Sequence, residues 1–86
     1  MAFKLEIYTP QEKVFEEDVD SINLDTLSGM MQILSRHIPT VVGIKPCIMK
    51  IILGEEVLKF KVSDGILDFE KNNGKIFVSY AERVEN

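Results

Sequence analysis

CIMKIILGEEVLKFKVSDGILDFEKNNGKIFVSYA, residues Cys47 to Ala81, alternates between side chains of opposite character and breaks at short Gly-, Asp- and Asn-bearing turns. Cys47, Met49, Ile51 and Leu53 fall on one face, and Ile48, Lys50 and Ile52 on the other. Both faces are largely apolar, which suits a central or interfacial strand. Gly54-Glu55-Glu56 reads as a hairpin turn. Val57 to Val62 then sends Leu58, Phe60 and Val62 inward and Lys59 and Lys61 outward. Ser63-Asp64-Gly65 is a turn or bulge, and Ile66 to Glu70 follows with Leu67 and Phe69 on one face. Lys71-Asn72-Asn73-Gly74 is a hairpin signal, because Asn and Gly tolerate the positive φ that tight turns need. Ile76 to Ala81 is the return strand.

The same period of two extends toward the N-terminus. Phe3, Leu5 and Ile7 point one way, and Lys4, Glu6 and Tyr8 the other, until Pro10 removes a ladder donor. From Val14 to Asp25 the apolar phase changes: Val19 is odd, Ile22 and Leu24 even. One inserted residue near Asp20-Ser21 repairs the phase, so a bulged strand bent at a sandwich corner is expected. Met30 to Leu34 and Thr40 to Ile44 are short strands, and Glu82 to Asn86 either begins a helix or frays. No stretch long enough for a helix carries helical periodicity. The fold class is all-β: a small antiparallel β-sandwich or flattened barrel of about eight to ten short strands. Residues 1–86 are expected to form one such domain.

Composition narrows the function. The net charge is −4 and the basic residues are dispersed singly, which argues against nucleic acid as a partner. One cysteine forms no internal disulfide and fits a reducing compartment. Lys4 and Glu6 interrupt any leader-like apolar run, and no window approaches a spanning helix. The chain is therefore expected to be soluble, without direct membrane insertion.

Ser28 to Cys47, SGMMQILSRHIPTVVGIKPC, holds the only histidine and the only cysteine. His37 with Cys47 could pair a thiol nucleophile with its base, which needs an activated thiolate beside an oriented imidazole. The plainer reading is that Cys47 packs as a small hydrophobe. One His and one Cys are too few for a metal site, and no phosphate cradle or dinucleotide fingerprint appears, so no metal and no cofactor is expected. Glu16-Glu17-Asp18 reads as a solvated strand edge. Met30 and Met31 are adjacent on a strand and so point to opposite faces. One of them is expected outside the core, at a partner contact.

Gly29, Ile33-Leu34, His37-x-Pro39, Ile44-Lys45-Pro46 and Ser63-x-Gly65-Ile66-Leu67, in that order, resemble the N-terminal β-sandwich domain of the epsilon subunit of bacterial F-type ATP synthases. Leu5-x-Ile7-x-Thr9-Pro10 and Val19-Asp20-Ser21-Ile22 fit the same family. The resemblance implies a non-catalytic rotor subunit of the central stalk. Such a subunit docks on the gamma subunit and on the polar loops of the c-ring. It sits peripherally on the cytoplasmic side of the inner membrane and helps to couple ion-driven rotation to ATP synthesis. On this reading the partner contacts fall on Met30, Met31, Gln32, Ile33, Arg36, His37 and Pro39, with His37 either a hydrogen-bonding anchor or a structural cap of a turn.

Departures from the family pattern bear on this loop. Met30 replaces an acidic residue, Gln32 a glycine, Ser35-Arg36 a Pro-Gly pair, and Cys47 a glycine. Loop geometry is expected to differ accordingly, with packing in place of charge at Met30. The two-helix C-terminal hairpin of longer members has no matching residues, so its roles do not carry over. Two other classes compete: a free-standing OB-like β-barrel binding module, which needs exposed aromatics and a basic groove, and a small Cys-dependent enzyme.

Overall fold

The computed structural model describes residues 1–85 and contains ten strands and no helix among them. In chain order they are β1 (Phe3–Tyr8), β2 (Lys13–Val19), β3 (Ser21–Thr26), β4 (Gly29–Leu34) and β5 (Thr40–Ile44). Then come β6 (Cys47–Leu53), β7 (Glu56–Val62), β8 (Gly65–Glu70), β9 (Asn73–Val78) and β10 (Ala81–Val84). They form one sheet in the order β10-β7-β6-β3-β5-β8-β9-β1-β2, with β4 added to β3. The sheet folds over at the β3–β5 junction, where Thr26 opposite Ile44 is the only ladder pair. Two layers result: β4-β3-β6-β7-β10 and β5-β8-β9-β1-β2. This is the all-β sandwich expected from the alternation.

Period-two alternation places the inward residues of both layers in one core. Phe3, Leu5 and Ile7 of β1 meet Ile22 and Leu24 of β3, Ile33 of β4, and Met49 and Ile51 of β6. Leu67, Phe69, Ile76 and the inward residues of β7 complete it. Phe3 and Phe69 meet edge-on with centroids 5.3 Å apart, a favoured aromatic geometry.

Four local expectations are corrected. The bent Val14–Asp25 strand is two strands that break at Asp20 and pair in different layers, β2 with β1 and β3 with β4 and β6. The phase change marks a crossing between layers rather than a bulge within one ladder. The β8–β9 turn is Lys71-Asn72, with φ of 51° and 57°, because Glu70 already pairs with Asn73. Gly74 is instead a buried strand residue. The segment after Ala81 is neither helix nor frayed end: Ala81 to Val84 pairs with β7, while Asn86 lies outside the described residues. Finally, one ladder is parallel, since β1 runs alongside β9 with Leu5 opposite Gly74 and Ile7 opposite Ile76.

Gly65 is required where β8 and β9 cross closely. A Cβ there would lie 2.1 Å from the Phe77 carbonyl oxygen, inside any van der Waals contact.

Candidate functional site

β4 lies at the end of its layer, paired with β3 alone. Its turn from β3 is Leu27-Ser28. Thr26 Oγ1 donates to the Gly29 carbonyl at 2.6 Å and accepts from Ser28 N–H at 3.0 Å, which locks that turn. Alternation then separates the strand's side chains. Ile33 is fully buried, so it supports the strand from within the core and cannot touch a partner directly, contrary to its place among the expected contacts. Met31 is half-buried against the core, whereas Met30 is 84% exposed. One methionine inside and one outside is what adjacent positions on a strand dictate. Gln32 and Leu34 share the outer face with Met30, so this edge carries no charge.

The loop after β4 is pinned to the far layer. Arg36 N–H donates to Asn72 Oδ1 at 2.7 Å, and Asn72 Nδ2 donates to the Ala2 carbonyl at 3.0 Å. Ser35 Oγ also donates to that carbonyl, at 3.2 Å. Asn72 was not legible as a site residue: the sequence marks it only as a turn former, while the structure makes it the clasp between two loops and the N-terminus. Arg36 holds φ at +68°, the left-handed conformation that a glycine would take without strain.

His37 is turned inward. Its N–H donates to the Leu34 carbonyl at 3.1 Å, and its Nδ1 lies 2.9 Å from the Ile38 carbonyl and 3.3 Å from Thr40 Oγ1. Its ring meets Phe69 edge-on, centroids 5.9 Å apart. These contacts tie its backbone and ring to the turn after β4. Pro39 and Ile38 beside it are exposed.

The paired Cys–His reading fails on geometry. His37 precedes the five-residue β5 and Cys47 follows it, so about 16 Å of extended strand separates them. Burial moves the Cys47 thiol pKa upward, away from thiolate. Among the described residues no three His, Cys, Asp or Glu side chains are grouped as metal ligands would be, and no helix is long and apolar enough to cross a membrane.

Residues 2–84 match the family described as ATP synthase, Delta/Epsilon chain, beta-sandwich domain, and the chain belongs to it. Among curated relatives, the ATP synthase epsilon chain of Clostridium novyi is 38% identical over 85 residues, covering 96% of this chain and 64% of the relative. That of Pelotomaculum thermopropionicum is 33% identical over 82 residues, covering 95% and 61%. The chain thus spans somewhat under two thirds of the length of these relatives. Its fold superposes, with a TM-score of 0.90 and 22% identity, on a chain in the Euglena gracilis mitochondrial ATP synthase structure, covering 95% of this chain and 53% of that one. A chain of the Tetrahymena thermophila central stalk and c-ring structure gives a TM-score of 0.79 at 19% identity, covering 92% and 64%.

Proposed function

We propose that this domain is a non-catalytic rotor element of an F-type ATP synthase, docking on the gamma subunit and the c-ring polar loops and coupling ion-driven rotation to ATP synthesis. It would work on the cytoplasmic face of a bacterial inner membrane. The observation that carries the reading, beside family membership, is the exposed Met30 on an uncharged edge strand whose following loop is clasped to the opposite layer. Torque passes through a stiff element better than through a compliant one, and close-packed interiors resist deformation. Met30, Gln32, Arg36 and Pro39 would make the contacts, with Met31, Ile33 and His37 holding them in place.

Co-purification with the gamma subunit and c-ring of the same enzyme tests this. Binding at micromolar concentration or tighter is expected, and a chain that binds neither overturns the reading. Met30→Glu should weaken that binding. A marked rise in c-ring affinity would show that charge, not packing, governs this contact.

A further inference from the structure

The outer face of β6 and β7 sets two lysines directly opposite each other, Lys50 across from Lys59. Directly opposed residues on one face have Cβ atoms about 5 Å apart, and like charges so placed are destabilising. Asn23 on β3 and Val84 on β10 flank the pair in register and offer it no charge. Lys61 follows on the same face, opposite Ile48 and Glu82. The carboxylates on this face are Asp25 and Glu82, and among the described residues neither forms an ion pair with a lysine. Glu82 instead accepts the Tyr80 hydroxyl at 2.6 Å. A chain of net charge −4 therefore keeps a positive stripe in mid-sheet.

Protection of a sheet edge, a common reason for outward lysines, does not account for the stripe. β6 lies between β3 and β7, and β7 between β6 and β10. Exposed apolar side chains border the stripe on both sides. Ile48 (46% exposed) and Met30 lie toward one end, and Val57 (41%) and Leu34 (52%) toward the other, with the half-buried Ile52 between these two. Charge in the middle with apolar flanks is the pattern of a docking surface that selects by charge and holds by packing.

We infer that this face receives a protein partner presenting carboxylates between apolar side chains, with Lys50 and Lys59 converging on the acidic group. The inference rests on the docking role proposed above and names the chemistry of the docked surface. An arriving carboxylate relieves the repulsion between the two lysines, so the strain is confined to the unbound domain.

The test measures binding of the purified gamma subunit and of the c-ring at 50 and 300 mM NaCl, for the wild type, K59E and K50E/K59E, with thermal unfolding of each domain alone. For the partner that uses this face, K50E/K59E is expected to lose at least tenfold in affinity and most of the salt dependence. K59E, which turns the repulsive pair into an attractive one, is expected to unfold at or above the wild-type temperature while binding more weakly. A gain in stability with a loss of affinity is not what a structural lysine would produce. Wild-type affinity in both variants for both partners overturns the inference and leaves the docking role intact. A wild type that binds neither partner overturns the docking role and this inference with it.

Discussion

Glu6 illustrates how one residue can hold three strands. It points to the outer face of β1 yet is only 5% exposed, covered by its neighbours. Tyr8 donates to it at 2.5 Å, Asn73 Nδ2 on β9 at 3.2 Å, and Lys13 Nζ of β2 lies 3.4 Å away. The Tyr8 hydrogen bond is the largest influence on its carboxyl; despite the opposing effect of burial, it and the Asn73 and Lys13 contacts lower the pKa to about 2. A carboxylate whose folded pKa lies below its unfolded value adds stability above the unfolded value, and this is lost as pH falls toward the folded one. The domain should therefore weaken between about pH 4.5 and pH 2, and Glu6→Gln should flatten that part of the profile. At pH 7 the substitution should cost roughly 1–3 kcal/mol, since charged hydrogen bonds are given up in a buried site. Urea titrations across pH would check both. Arg36 offers the opposite case. Its φ of +68° carries a penalty that glycine does not, so Arg36→Gly should stabilise by about 0.5–1 kcal/mol, net of the extra chain entropy of glycine. A loss of stability would mean that the Arg36 side chain matters more than its backbone.

At the scale of strands, alternation revealed nearly every element, because a half-buried strand must place its apolar residues two apart. Phe3, Phe60 and Phe69 went inward as their phase required. Alternation could not reveal which strands pair. β1 beside β9 in parallel, and the separation of β2 from β3 into different layers, depend on contacts remote in sequence. The candidate site was legible in part for the same reason. The odd-even split put one of Met30 and Met31 outside the core without saying which, and the structure turns Met30 out; the clasp at Asn72 joins the loop after β4 to the β8–β9 turn, and no local signal foretells it. The edges differ in a way composition did show: β2 is lined with Glu16, Glu17 and Asp18, with Glu16 paired to Lys4 at 3.0 Å, while the β4 edge is neutral. Gly65 gives the prediction proper to this scale. Its absent Cβ lets β8 pass within reach of the Phe77 carbonyl. Gly65→Ala must push two central strands apart, at roughly 1–3 kcal/mol or more. A thermal midpoint equal to that of the wild type would mean that the ladder yields at no cost.

The molecule as a whole should unfold as one unit, although a single ladder pair joins its two layers in the sheet. Chain path is the reason. β1 and β2 lie in one layer, β3 and β4 in the other, β5 returns to the first, β6 and β7 to the second, β8 and β9 to the first, and β10 to the second. Neither layer is a continuous segment, so neither can detach without breaking the other's connections. The inward side chains of both layers also share one core, and a chain of this size has too little buried surface to sustain two independent ones. Tyrosine fluorescence offers a probe in each region, since Tyr8 stacks on Phe77 in one layer with centroids 5.4 Å apart, and Tyr80 adjoins β10 in the other. Urea unfolding of Tyr8→Phe and Tyr80→Phe, each followed by its remaining tyrosine, should give a midpoint that coincides with that variant's own far-UV circular dichroism, with a slope of about 1 kcal/mol per molar. Midpoints that diverge between fluorescence and circular dichroism within one variant would mean that the layers open separately. That result would count against the rigid coupling on which the proposed rotor role depends.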